Sequence, residues 1–120
     1  MAMPDRRARD LYVRRVLDQY RLLPGTLGHV RRTDRRLAEQ LHGRGVPLSL
    51  VEAAFTLATC RRLLRSADAE PLEPVRTMHY YLAVLQELRK HPPDPDYLRY
   101  LQSKVARLAA LHRPPRDPQP

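Results

Sequence analysis

Arginine is the residue best placed to do chemistry in this sequence. Its guanidinium is always charged and presents a rigid, planar fork of donors that matches the oxygens of a phosphate. Three groups stand out. Arg31, Arg32, Arg35 and Arg36 sit where a loop meets a helix, and Arg61, Arg62 and Arg65 close an apolar helix. Arg14 and Arg15, followed by Arg21, fall on the polar side of the first helix. Free backbone N–H groups at a helix start add to anion attraction at the first group. Such a set predicts binding to a polyanion, DNA or RNA, through backbone contacts that neutralise phosphates and release counterions.

The charge is one-sided. Residues 1–65 carry 14 arginines against six acidic residues, whereas residues 66–120 carry eight basic against seven acidic ones. The whole chain is +9. The competing explanation is an ordinary solvated surface in the Arg-, Ala-, Leu- and Pro-rich chain that a GC-rich genome encodes. Asp10 and Asp34 also offer local partners to the clusters.

Six of the seven aromatic residues are tyrosines. Tyr80 and Tyr81 are adjacent, so they cannot both face one core, and Tyr80 is the one expected at the surface. An exposed tyrosine beside arginines can stack on an unpaired base. At helical spacing tyrosines more often rim a core with the hydroxyl reaching water.

Other chemistry finds little support. His29, His42, His79, His91 and His112 form no zinc-ligand spacing with one another or with Cys60. Cys60 lies in an apolar run, which predicts a buried and inert thiol. No carboxylate pair occupies an apolar face, and no Gly-rich phosphate loop or nucleophile motif occurs. The sequence therefore predicts no enzyme, no metal and no cofactor. The charged N-terminus and the lack of a long apolar run predict a cytoplasmic protein without a membrane span.

The elements that must hold these residues are helices. Apolar positions recur at spacings of three and four, and no segment alternates with period two. A first helix is expected over 6–23, with Tyr12, Val13, Val16, Leu17, Tyr20 and Leu23 as its buried stripe, stopped by Pro24 and Gly25. Thr33 is the expected cap of a short second helix that ends at Gly43 or Gly45. Ser49 and Glu52 match a capping box opening a third, central helix over 50–64. A Pro- and acid-containing connector over 66–74 precedes a fourth helix over 75–90, whose stripe includes Val75, Met78, Leu82, Leu85 and Arg89. Asp94 and Pro95 open a fifth, which Arg113-Pro114-Pro115 ends. The prediction is an all-α fold, a compact single-domain bundle of about five helices over 1–112, with a disordered Pro-rich tail over 113–120.

Residues 37–62 invite comparison with a helix-turn-helix. The stretch from Gly43 to Ser49 is longer than that motif's turn. The helix that would enter the groove is also mostly apolar, so few of its side chains could read base edges. A core helical hairpin is the expectation.

The run from Tyr12 to Leu88 resembles the small helical DNA-binding domains of the DnaD-like primosomal and plasmid replication-initiator families. The likeness lies in Val51-Glu52-Ala53-Ala54 opening a central helix, a connector, and a Tyr80-Tyr81-Leu82 helix ending near Glu87-Leu88. It implies DNA binding through a basic helical surface, in replication or mobile-element biology. It assigns no role to an individual residue. The alternative is a small helical adaptor or accessory subunit, with a protein partner or a second copy of the chain against its fourth and fifth helices.

Overall fold

The computed structural model describes residues 6–65, 69–70 and 72–112, so the expected tail over 113–120 lies outside the described residues. Five helices carry the fold: α1 (Arg6–Leu22), α2 (Arg32–Gly43), α3 (Leu48–Leu63), α4 (Leu82–Lys90) and α5 (Pro95–His112). A short 3₁₀ turn, Met78–Tyr81, leads directly into α4. The all-α expectation holds, and no strand occurs among the described residues.

The middle helix is apolar on most of its circumference, and burial follows from that. Val51, Ala53, Ala54, Phe55, Thr56, Ala58, Thr59 and Cys60 are all buried. α3 packs against α1 on one side and against α4 and α5 on others, whereas α2 packs chiefly on α1 and the 3₁₀ turn. At the centre Tyr20, Phe55 and Tyr81 meet as an aromatic cluster with centroids 5.1–6.4 Å apart. Edge-to-face contacts of this kind add to the area that the rings remove from water. The Cys60 thiol lies within this core, as its apolar neighbours predict.

Three helix starts differ from expectation, each for a local reason. α3 begins at Leu48 after Pro47, whose carbonyl accepts from Leu50 and Val51. The Ser49/Glu52 box therefore does not form, because both residues already lie inside the first turns. The linker is anchored ahead of them: Val46 is buried, its N–H donates to Leu41, and its carbonyl accepts from the Tyr12 hydroxyl at 2.9 Å.

α2 is entered through Arg31 rather than Thr33. The Asp34 carboxylate reaches back to accept the Arg31 N–H at 2.9 Å, which is the return half of a capping box. The fourth helix is shorter than its apolar stripe. Val75 exchanges backbone hydrogen bonds with Gly25 and Leu27, so its N–H and carbonyl are committed elsewhere. The helix axis is established only after Thr77 caps the 3₁₀ turn. Val75, Met78 and Leu85 are buried as the stripe implies, Leu82 is half-buried with Leu88 buried beside it, and Arg89 is exposed.

The α2–α3 linker, residues 44–47, is four residues long, so turn length does not separate this segment from a helix-turn-helix. Burial does. A recognition helix needs one face open to a groove, and α3 is enclosed along its middle.

Candidate polyanion-binding surface

The loop after α1 brings two arginine-bearing segments side by side. Gly25 and Gly28 adopt left-handed conformations at φ +87° and +79°, which a residue with a Cβ takes only under strain. They turn the chain back so that Val30 and the start of α2 run beside α1. Thr26 closes the turn just past α1, its hydroxyl donating to the Leu23 carbonyl at 3.0 Å.

The result is an open groove of about 1010 Å³. α1 lines one wall with Arg6, Arg7, Arg14 and Arg21; Val30 and Arg35 come from the other side. Asp10, Leu11 and Asp18 lie between the arginines of α1. Residues 7, 14 and 21 are seven apart, which returns them to nearly the same side of a helix with a drift of about 20° per step. Their rise along the axis is about 10 Å per step. Asp18 pairs with Arg21 at 3.4 Å with both side chains about half exposed, a contact weak enough for a phosphate to displace.

The other expected arginines separate into two kinds. Arg15 on α1, Arg31 at the cap of α2, and Arg32 and Arg36 on α2 are exposed but do not line the groove. Arg15 follows Arg14 by one residue, and consecutive side chains on a helix diverge by about 100°.

Arg61, Arg62 and Arg65 instead bind the protein itself. Arg61 makes a two-pronged ion pair with Glu87 at 2.7 and 2.9 Å, which holds the Glu87 carboxyl below the usual carboxylate range. Arg62 lies over the Tyr80 ring, 5.3 Å from its centroid, and donates to the Glu73 carbonyl at 3.0 Å. Arg65 donates to the Glu70 carbonyl at 3.0 Å. Tyr80 is exposed, as expected, but it is the platform on which Arg62 rests.

The start of α2 also departs from a free anion site. Asp34 is fully buried, and its carboxylate accepts from Arg31 N–H, from Met78 N–H at 2.8 Å and from the Thr77 hydroxyl at 3.2 Å. A negative group already occupies that helix end. What remains attractive there is the outward guanidinium set rather than the backbone.

Sequence reasoning missed Arg6 and Arg7 as members of a common surface with Arg14, Arg21 and Arg35. The seven-residue interval was the available signal. It was hidden by the denser runs at 31–36 and 61–65, where adjacency rather than facing stood out.

Among the described residues, no helix is long and apolar enough to cross a membrane, and no cluster of three or more His, Cys, Asp or Glu could hold a metal ion. Comparison with protein families, with characterised proteins and with solved structures found no match to this chain.

Proposed function

We propose that this protein is a non-enzymatic nucleic-acid-binding module that grips the phosphate backbone from α1 and the start of α2. The observation that carries this reading is the convergence of Arg6, Arg7, Arg14 and Arg21 with Arg35 on one groove. Arg15, Arg31, Arg32 and Arg36 surround it as a wider field that draws a polyanion in. Arg61, Arg62 and Arg65 belong to the scaffold and not to the interface.

A fluorescence titration with DNA and RNA oligonucleotides at several salt concentrations tests the reading. Affinity falls steeply with salt, and Arg14→Ala and Arg35→Ala each reduce the slope by about one counterion. Arg61→Ala leaves the slope unchanged. Absence of binding to both DNA and RNA at low salt, or a flat salt dependence, overturns the proposal.

A second reading is favoured by one observation. The outward side of α5 leaves Tyr97, Tyr100 and Leu111 at least half exposed, which suits an adaptor that docks a protein there. Sedimentation of the chain as a monomer, with no partner lost on Tyr97→Ser or Leu111→Ser, removes that reading.

A further inference from the structure

The groove is not uniformly basic, and its pattern bears on which nucleic acid it fits. Along α1, Asp10 follows Arg7 by three residues and Asp18 follows Arg14 by four, so carboxylates alternate with guanidiniums on one stripe. Asp18 is held only by a half-exposed contact to Arg21 at 3.4 Å, weak enough for another partner to replace, and a carboxylate left facing a phosphate would repel it. Carboxylates accept from the amino groups on base edges, as when Asp or Glu takes the N4 amine of cytosine.

Apolar side chains add a second sign. Leu11 is 54% exposed and Val30 is 39% exposed, and both line the same groove. Neither helps to hold a phosphate, but each offers a contact to the face of an unpaired base.

Shape supplies the third. Helices that read duplex DNA project into its major groove. Here the arginines line a concavity, and the helix that would have to project, α3, is enclosed. Base faces and edges become available together to a concave surface only when the bases are unpaired.

From these three observations we infer that the groove takes one extended single strand, phosphates against the arginines and bases against Leu11, Val30, Asp10 and Asp18. The stripe from residue 7 to residue 21 rises about 21 Å. That length suits roughly four nucleotides, the lower end for single-strand modules. The inference rests on the nucleic-acid reading above and narrows it to a substrate class.

Competition among a single-stranded 12-mer of mixed sequence, the same strand made abasic and a duplex of equal length tests it on the full chain. The single strand binds at least ten-fold more tightly than either competitor. Leu11→Ala and Val30→Ala, both at exposed positions, reduce that preference at least three-fold. Equal binding of the abasic strand or of the duplex overturns this inference and leaves the broader reading standing. Displacement of the strand by poly-glutamate of equal charge as readily as by the unlabelled strand also overturns it, since the groove then reads charge alone. Failure to bind any of the three at low salt overturns both.

Discussion

The carboxylate of Asp34 accepts the backbone N–H of Met78 at 2.8 Å, joining residues 44 apart in the chain at a fully buried position. The same carboxylate accepts from Arg31 N–H. One side chain thus closes the start of α2 and the start of the 3₁₀ turn together. It holds the segment that carries Arg35 against the part of the chain that completes the core.

Removing it strands two backbone donors and the Thr77 hydroxyl at once. Asp34→Ala is expected to cost about 2–4 kcal/mol, since hydrogen bonds to charged groups are the stronger kind and the abandoned N–H groups keep their desolvation penalty. Asp34→Asn keeps the shape but turns an acceptor into a donor on one side, and it recovers only part of the loss. Urea denaturation of the three proteins measures both values. Equal stability of wild type and Asp34→Ala contradicts the role given to this bond.

Two buried tyrosines should respond oppositely to loss of the hydroxyl. The Tyr12 hydroxyl satisfies the Val46 carbonyl at 2.9 Å, so Tyr12→Phe leaves a buried acceptor unpaired and costs about 1–3 kcal/mol. The Tyr81 hydroxyl and Thr59 Oγ1 lie buried beside each other, and neither makes a hydrogen bond of good geometry among the described residues. Tyr81→Phe removes a polar group that the core does not satisfy, and its stability is expected to match or exceed that of wild type. Thermal melts of the two variants side by side decide the matter.

Alkaline pH acts on the same residues. Burial pushes the Tyr12 hydroxyl up to about 12, and it raises Tyr20 and Tyr81 as well. Each is easier to ionise in the unfolded chain, near pH 10. The stabilisation from keeping them neutral is therefore complete below pH 10 and is lost as the pH climbs towards the folded values. Tm should hold between pH 7 and 9 and drop steeply above 10. Tyrosinate absorbance should rise together with unfolding rather than ahead of it for these three. At the acid end Glu87, lowered by Arg61, contributes in the opposite direction, its effect fading as pH falls below the usual carboxylate range.

Arg62 is expected to behave as a structural residue despite its charge. Its guanidinium touches Tyr80, the Glu73 carbonyl and the space beside Gly25, where a Cβ would approach Nε to 3.3 Å. Arg62→Ala should cost about 1–2 kcal/mol through the lost cation–π contact and hydrogen bonds. Arg62→Lys should not restore it, because an ammonium lacks the planar fork. Unchanged melting of Arg62→Ala would return this residue to the set of candidate phosphate contacts.

The number of helices and most of their buried faces were legible from spacing alone, because burial and the 3.6-residue period are the same fact seen twice. Tyr12, Val13, Val16, Leu17, Tyr20, Met78 and Leu85 could all be placed inward on that basis. Starts were less legible. Asp34 looks from sequence like a first-turn acid suited to the helix dipole, and its second partner, Met78, is too distant in the chain for local reasoning to find. The same holds for Val75, whose backbone is taken by Gly25 and Leu27. The candidate surface was half legible: the excess of arginine is plain, but which arginines face a groove and which face Glu87, Glu73 or Tyr80 depends on contacts between segments.

Cys60 is buried on α3, the helix that α1, α4 and α5 pack against. It is also the only cysteine in the chain. Its thiol can meet a reagent only when those helices part, so its alkylation rate is a clock that runs on the opening of the core. A bound strand that holds α1 to the start of α2 should slow the clock, whereas one that touches only exposed arginines should leave it running at the same speed.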